Sequence, residues 1–278
     1  MVMTDLDGCV LDPKTYKYDK TLPLIQRLRK QGIEIIFNSS KTRAEQLLYM
    51  DRLGLKDIVF IVENGAAIYI PKKKKASLHV FKNNTKCRNH EDYYVCILGK
   101  TIDEIKNMIS DIIEKYRDHI IWMDEITPRL LSELTGLPED EAVLALKREY
   151  SYLFIPKTKD SATIDDVLNK IRERGLNIQV GGVGISQING DHDKGKALLL
   201  LRGIVKEYRY AHIIAVGDAM NDAPMLKIAD TGVLLGVNLD VVKAIERDDL
   251  IVIKNKGSLA WRNILARLTG NYDLVVRG

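Results

Sequence analysis

The segment Val2-Met3-Thr4-Asp5-Leu6-Asp7-Gly8 decides the fold, because a short apolar run leads directly into two aspartates and a glycine. The apolar residues predict a buried strand that ends at Asp5. Asp7 lies two residues further on, so its side chain starts on the same face if the strand geometry continues. Gly8 permits the sharp exit that follows. An ordinary Asp-Gly turn accounts for the same residues, so the segment alone leaves both interpretations open.

Strands and helices alternate after this segment. The pattern predicts a helix over Pro23 to Gln31, a strand over Ile33 to Phe37, a helix over Ala44 to Leu53 and a strand over Ile58 to Val62. Such alternation predicts an α/β fold with a doubly wound parallel sheet, the Rossmann-like class. Ligands of these folds bind beyond the carboxyl ends of the strands, where Asp5, Ser39 and Glu63 are expected.

A different pattern begins after Ile70 and predicts an inserted α+β domain over residues 78–188. Its predicted helices cover Ile102 to Tyr116, Glu139 to Glu149 and Ile164 to Arg174, and its predicted strands lie around 95–98, 152–155, 178–180 and 185–188. Alternation resumes with a helix over Lys194 to Val205 and a strand over His212 to Val216. The sequence therefore predicts a core domain of residues 1–77 and 189–278 that is interrupted by a cap.

Composition limits the possible partners. The chain has 278 residues and a net charge of +4, from 42 basic and 38 acidic residues. This excess is too small to indicate nucleic acid or a membrane surface, and no apolar run reaches the roughly 18 residues of a membrane span. Three cysteines, Cys9, Cys87 and Cys96, are odd in number and lack metal-type spacing. A reducing cytoplasmic compartment is the simplest fit.

Further acidic residues follow near the end of the chain. Lys194 opens one predicted helix, and Asp218 and Asp222 flank a predicted turn from strand to helix. Oxygen ligands of this kind suit a hard divalent cation, so we expect Asp5, Asp7, Asp218 and Asp222 to bind Mg²⁺. Helix capping by Asp218 or Asn221 is the competing interpretation, and it is compatible with a ligand role.

These residues also suggest a chemical mechanism. A carboxylate attacks a phosphate only when a cation masks the charge between them, so Asp5 is the expected nucleophile and Asp7 the acid and base. Lys194 would pair with the nucleophile and with the phosphoryl group. Ser39 would bond a phosphoryl oxygen, and Lys41 or Arg43 would add positive charge. A helix cap over the same residues is the alternative.

The motifs resemble those of the haloacid dehalogenase-type phosphohydrolases. The resemblance covers all four motifs of that family, namely Asp5 to Gly8, Ser39, Lys194, and Gly217 to Asp222. It implies an aspartyl-phosphate intermediate and an enzyme that uses Mg²⁺. The insertion after the third strand resembles the C2-type cap of this family.

Within the C2 group the chain is similar to the mannosyl-3-phosphoglycerate phosphatases. The similar stretches are Ser40 to Glu45, Val62 to Ile68, Thr135 to Leu137, Arg148 to Glu149 and His192 to Ala197. The resemblance implies hydrolysis of a small phosphorylated sugar. We expect a monomer or homodimer, with no nucleic-acid or membrane partner. Lys41, Arg43 and Arg148 would receive the phosphate and the carboxylate, since arginine suits a carboxylate. Arg148 is equally interpretable as a charge at a helix end.

Glu63 and Asn64 would contact sugar hydroxyls or orient Lys194, and a plain turn is the alternative. The chain departs from the pattern at Cys9, over Tyr150 to Phe154, and at Val183 and Ser186. The cap departures lie where the substrate is chosen. The alternatives are therefore phosphatases of glucosyl-3-phosphoglycerate or sucrose 6-phosphate, a hexose-phosphate mutase, or a sugar-phosphate binding protein without catalysis.

Overall fold

The computed structural model describes residues 1–74, 87–181 and 184–275. The chain divides into two compact units. The first comprises Met1–Lys41, Gln46–Ile97 and Asp193–Gly278, and the second comprises Thr42–Glu45 and Leu98–His192. Val183 and the end of the basic run at Lys75 lie outside the described residues.

The strands of the described residues are β1 (Val2–Thr4), β2 (Ile35–Asn38), β3 (Phe60–Val62), β4 (Ala67–Pro71), β5 (Cys87–His90), β6 (Tyr93–Ile97), β7 (Ile120–Trp122), β8 (Ser151–Pro156), β9 (Asn177–Val180), β10 (Ser186–Asn189), β11 (Ile214–Gly217), β12 (Thr231–Leu235) and β13 (Ile251–Ile253). The helices are α1 (Leu22–Lys30), α2 (Arg43–Arg52), α3 (Ile102–Met108), α4 (Ser110–Lys115), α5 (Pro128–Thr135), α6 (Glu139–Ala145), α7 (Ser161–Glu173), α8 (Lys194–Ile204), α9 (Ala223–Ile228), α10 (Leu239–Ile245) and α11 (Ser258–Leu268).

The first unit contains one sheet with the order β13-β12-β11-β1-β2-β3-β4-β6-β5. Neighbouring strands from β13 to β3 are parallel, and β4, β6 and β5 continue the sheet in antiparallel fashion. Every residue of β1, β2 and β3 is buried, as continuous apolar strands of a covered parallel sheet require. The predicted Rossmann-like α/β class is confirmed.

The second unit contains a four-stranded antiparallel sheet with the order β7-β8-β10-β9. Alternate residues of its strands, including Trp122, Tyr152, Phe154 and Ile188, are buried in one cluster. The helices α3, α4 and α7 supply the rest of this cluster through residues such as Ile105, Ile112 and Ile171. Alternation with a period of two therefore gives this sheet one apolar face under helices.

The compact units begin and end at other residues than the expected domains. The strands β5 and β6 lie within the range 78–188, yet they pair with β4 in the large sheet, so the second unit starts at Leu98. Two predicted helices are also shorter in the structure. The helix predicted over Ile102 to Tyr116 is interrupted at Ile109, whose φ of −118° is not helical. The helix predicted over Glu139 to Glu149 ends at Ala145.

The prediction of reduced cysteines is wrong for two of the three. Cys87 and Cys96 face each other directly in the register of β5 and β6, and they form a disulfide bond. Cys9 is free and buried. None of the helices in the described ranges combines the length and the apolarity that crossing a membrane requires.

Candidate active site

Four adjacent strand ends bring the predicted residues to one edge of the sheet. Asp5 follows β1, Ser39 follows β2, Glu63 follows β3 and Asp218 follows β11. The backbone N–H of Asp5 still donates to the carbonyl of Val216 at 3.0 Å, so the ladder holds Asp5 beside β11. The edge has the position at which parallel α/β sheets bind ligands.

Lys194 bridges two of the aspartates. It is the first residue of α8, and the side chain of Asp193 caps that helix by accepting from the N–H of Lys196 at 2.7 Å. The Lys194 Nζ lies 3.0 Å from Oδ2 of Asp5 and 2.6 Å from Oδ1 of Asp222. Burial acts to lower the pKa of Lys194, but the charges of Asp222 and Asp5 outweigh it and the pKa is raised. The ammonium is therefore charged at neutral pH.

Asp222 is fully buried and holds the loop that precedes it. Its Oδ2 accepts from the backbone N–H of Asp218 at 2.8 Å and of Ala219 at 3.0 Å. Gly217 leaves space for this carboxylate, since a Cβ there would lie 2.3 Å from Cβ of Asp222. Asp222 thus fixes both Lys194 and the backbone of Asp218.

Three carboxylates converge as a divalent cation requires. Asp5, Asp218 and Asp222 each offer one oxygen, and these oxygens lie within 4.8 Å of one another. Burial, followed by the charges of Asp222 and Asp5, raises the pKa of Asp218 to about 7. Lys194 and Lys256 compensate only part of the charge of three carboxylates, and the convergent oxygens fit a hard cation such as Mg²⁺. Asp7 is not part of this cluster, and its predicted ligand role remains a prediction.

Asp7 makes an ion pair instead. Its Oδ2 lies 3.1 Å from Nζ of Lys41, and the Asp7 side chain is 39% exposed while that of Lys41 is only 4% exposed. The rings of Tyr16 and Tyr49 each have their centre 5.4 Å from this ammonium. Lys41, expected to bind substrate, thus contacts the expected acid and base.

The residues that follow β2 and β3 are also buried, namely Ser39, Glu63 and Asn64. The N–H of Asn64 donates to the carbonyl of Ser39 at 2.9 Å, and Oδ1 of Asn64 accepts from Nδ2 of Asn221 at 3.0 Å. Glu63 and Asn64 have positive φ angles of 47° and 63°. The turn at Gly65 packs against α8, because a Cβ on Gly65 would lie 2.2 Å from the carbonyl oxygen of Asp193. Such packing favours the expectation that this segment orients Lys194.

The two expected arginines belong to the second compact unit. Arg43 is the first residue of α2, and Nε of Arg148 donates to Oγ of Ser151 at 2.6 Å. Ser151 stands in the segment where the chain departs from the family pattern. The contribution of both arginines to substrate binding remains a prediction.

Two further residues contact the site, and no motif in the sequence identifies them. The side-chain amide of Asn38 donates to the carbonyl of Lys194 at 3.0 Å. Lys256 donates from Nζ to Oδ2 of Asp218 at 3.0 Å. Asn38 directly precedes the predicted site residue Ser39, and this position could have indicated a role in the site. Lys256 stands in a loop without periodicity or a motif, so nothing in the sequence connected it to Asp218.

The chain is similar to known proteins along most of its length. A family model described as haloacid dehalogenase-like hydrolase matches residues 2–257. The chain belongs to this family. A "Glucosyl-3-phosphoglycerate/mannosyl-3-phosphoglycerate phosphatase" from Persephonella marina is 30% identical over 276 residues, which cover 98% of each chain. A "Mannosyl-3-phosphoglycerate phosphatase" from Pyrococcus furiosus is 32% identical over 236 residues, 85% of this chain and 90% of its own.

Solved structures agree on the fold. A sugar phosphatase of haloacid dehalogenase subclass IIB superposes with a TM-score of 0.62 at 15% identity, and the match covers 98% of each chain. At that identity the likeness concerns the fold alone. The predicted membership of this hydrolase family and the similarity to the mannosyl-3-phosphoglycerate phosphatases are both confirmed.

Proposed function

We propose that the chain is a Mg²⁺-dependent phosphatase that hydrolyses a sugar-linked phosphate monoester through an aspartyl-phosphate. The observation that carries the proposal is the buried Lys194, whose ammonium contacts both Asp5 and Asp222. This contact keeps a carboxylate at the end of β1 oriented beside fixed positive charge. Such preorganisation is what attack on a phosphate dianion needs.

In the proposed first step a carboxylate oxygen of Asp5 bonds to phosphorus while the bond from phosphorus to the leaving oxygen breaks. Asp7 donates its proton to that oxygen, so the sugar leaves as a neutral alcohol. Water then attacks the aspartyl-phosphate, Asp7 takes its proton, and phosphate departs with Asp5 restored. Asp5, Asp218 and Asp222 would hold Mg²⁺, which neutralises charge between nucleophile and phosphate when it is bound.

The contact between Lys41 and Asp7 supports a division of roles in this mechanism. Lys41 is nearly inaccessible, and its ammonium lies 3.1 Å from Oδ2 of Asp7. An ion pair that is buried on one side restricts the rotamers of the carboxylate. We therefore assign Lys41 chiefly to holding Asp7, and Ser39 and Arg43 to the phosphate.

For the substrate we propose mannosyl-3-phosphoglycerate, giving mannosylglycerate and phosphate. The names of the relatives support this choice, and the name of the Persephonella marina protein includes the glucosyl compound as well. The glucosyl ester is therefore the second candidate. Both esters carry a carboxylate, for which Arg148 offers a bidentate partner. The substrate is a small molecule, and we propose a monomer or homodimer in the cytoplasm. The Cys87–Cys96 disulfide is compatible with that compartment, because intracellular proteins of hyperthermophiles also contain disulfides.

The test is phosphate release by purified protein with and without Mg²⁺. Mannosyl-3-phosphoglycerate would be compared with glucosyl-3-phosphoglycerate, sucrose 6-phosphate and mannose 6-phosphate. We expect at least about tenfold higher kcat/KM for the first, which is ~1.4 kcal/mol of transition-state discrimination. Faster turnover of sucrose 6-phosphate or mannose 6-phosphate would contradict the proposed substrate and would support only the assignment as a phosphatase.

A pair of variants tests the chemistry. Asp5→Asn removes the nucleophile, and Asp19→Asn changes an aspartate whose side chain is 63% exposed and pairs with Lys20. We expect the first to abolish turnover while substrate binding by calorimetry persists, and the second to keep both. Full activity of Asp5→Asn would exclude the aspartyl-phosphate. Absence of phosphate release by the unmodified protein from every ester would favour a binding protein.

A further inference from the structure

A second lysine contacts the carboxylate cluster from outside the motifs of the family. Lys256 lies in the loop between β13 and α11, and its Nζ donates to the carbonyl oxygen of Asp218 at 2.8 Å and to Oδ2 at 3.0 Å. The lysine side chain is 42% exposed, whereas that of Asp218 is 14% exposed. One ammonium thus binds the backbone and the side chain of the same aspartate.

The backbone around Lys256 is shaped to direct its side chain to this place. Gly236 has a φ of +85°, and a Cβ there would lie 2.4 Å from Cε and 2.6 Å from Cγ of Lys256. The aliphatic stem of the lysine therefore lies directly on a residue that has no side chain. Gly236 thus leaves room for the stem while the ammonium reaches Asp218.

Gly257, the residue after Lys256, links this loop to the segment that follows the nucleophile Asp5. The N–H of Gly257 donates to the carbonyl of Gly8 at 2.7 Å. Gly8 in turn makes room for Asp218, since a Cβ on Gly8 would lie 2.5 Å from Oδ2 of that residue. The segments that carry Lys256, Asp218 and Asp5 to Gly8 are thus packed against one another.

Charge explains why a cation is needed at this point. The ammonium of Lys194 contacts Asp5 and Asp222, while Asp218 contributes a third oxygen to the same cluster. Like charges at such separations repel strongly where burial excludes water. Lys256 supplies positive charge to Asp218, which Lys194 does not contact within salt-bridge distance in the described residues.

We propose that Lys256 is a positioning residue for the magnesium site, holding the Asp218 carboxylate in the cluster until an ion binds. The inference rests on the Mg²⁺ dependence in the proposed function. It implies that Lys256 and the ion each stabilise the carboxylate of Asp218, since each supplies positive charge to it. Loss of Lys256 should therefore matter most in the metal-free protein. A purely structural clamp on the Asp218 backbone would matter equally with and without Mg²⁺.

The experiment compares thermal denaturation in EDTA and in saturating Mg²⁺. Lys256→Met removes the charge and keeps the stem, Lys256→Arg keeps the charge, and Lys254→Met is the control from the same surface cleft. We expect Lys256→Met to lower the Tm by about 3 °C in EDTA and by under about 1 °C in Mg²⁺. Lys256→Arg and Lys254→Met should follow the unmodified protein in both buffers.

Equal losses in the two buffers, or no loss in either, would overturn the inference. If Lys256→Met does not fold in EDTA, refolding it in Mg²⁺ gives the same readout, because recovery there supports the proposal and failure there refutes it. The unmodified protein separates the two proposals. If Mg²⁺ does not raise its Tm, the proposed metal dependence is wrong. If Mg²⁺ raises its Tm and that of Lys256→Met by the same amount, only the role of Lys256 is wrong.

Discussion

The side-chain amide of Asn38 donates a hydrogen bond of 3.0 Å to the carbonyl oxygen of Lys194. The last residue of β2 thereby fixes the first residue of α8, and both residues are fully buried. Since the ammonium of Lys194 contacts Asp5, this bond to the backbone of Lys194 helps to fix the position from which its side chain reaches the nucleophile. Asn38 thus acts on the proposed chemistry through another residue.

Replacing Asn38 by alanine should therefore affect both stability and rate. We expect Asn38→Ala to reduce the free energy of unfolding by about 1–2 kcal/mol, as loss of a buried hydrogen bond does. The displaced Lys194 should lower kcat while KM stays near its normal value. Denaturant unfolding and steady-state kinetics measure the two effects. Asn169→Ala, at an exposed position of α7, is the control: kcat and KM should stay unchanged, and the free energy of unfolding should change by under about 1 kcal/mol.

The pairing of Lys41 with Asp7 leads to a prediction that separates two roles. If Lys41 holds the acid and base, Lys41→Met should lower kcat by about 10²-fold, within the range of general acid–base catalysis, with little change in KM. If Lys41 instead binds substrate, KM should rise and kcat should persist. Lys14→Met is the control, because Lys14 is an exposed lysine shortly after Asp7 in the sequence; it should leave kcat and KM unchanged.

The sequence predicted the part of this arrangement that depends on local pattern. Strands that end at Thr4, Asn38, Val62 and Gly217 follow from apolar runs that stop at polar residues, and a parallel sheet aligns their ends. The antiparallel extension by β4, β6 and β5 was missed. Its strand β5 is only partly buried, so it lacks the apolar run that identifies a covered strand.

Contacts between distant loops could not be predicted in the same way. Lys256 and Asp218 are 38 residues apart and Asn38 and Lys194 are 156 apart, so no periodicity links either pair. The disulfide between Cys87 and Cys96 likewise depends on the register of β5 and β6. Register is set by pairing in three dimensions, which spacing of the cysteines does not report.

The raised pKa of Asp218 predicts how stability and metal binding vary with pH. Because the folded pKa of about 7 exceeds the ordinary value of 3.8, the folded metal-free protein binds more protons than the unfolded chain between these values. Stability in EDTA should therefore fall as pH rises through this window. Mg²⁺ needs the carboxylate, so its affinity should fall by about tenfold per unit below pH 7.

Two series of measurements check this prediction. Thermal denaturation in EDTA from pH 5 to pH 8 should show the loss of stability, and Asp218→Asn should remove the part that Asp218 contributes. Calorimetric titration with Mg²⁺ over the same range should show the weaker binding at low pH. An affinity that does not vary with pH would contradict the assignment of Asp218 as the titrating ligand.

Gly217 provides a test of how closely the cluster is packed. A Cβ at this position would lie 2.3 Å from Cβ and 2.4 Å from Cγ of Asp222, both closer than van der Waals contact allows. Gly217→Ala should push Asp222 away from Lys194, and overpacking of this kind typically costs about 1–3 kcal/mol. We expect kcat to fall by at least about tenfold, since the ammonium loses the partner that orients it towards Asp5.

The matched control is the same substitution where space is available. Gly203 lies in α8, and a Cβ at this position would have no atom of a neighbouring element within 4 Å among the described residues. Gly203→Ala should therefore stabilise the helix by up to about 1 kcal/mol and leave kcat unchanged. Denaturant unfolding and phosphate release on both variants decide the matter. If Gly217→Ala kept full activity and stability, Asp222 would tolerate displacement, and its assignment as the anchor of Lys194 would be wrong.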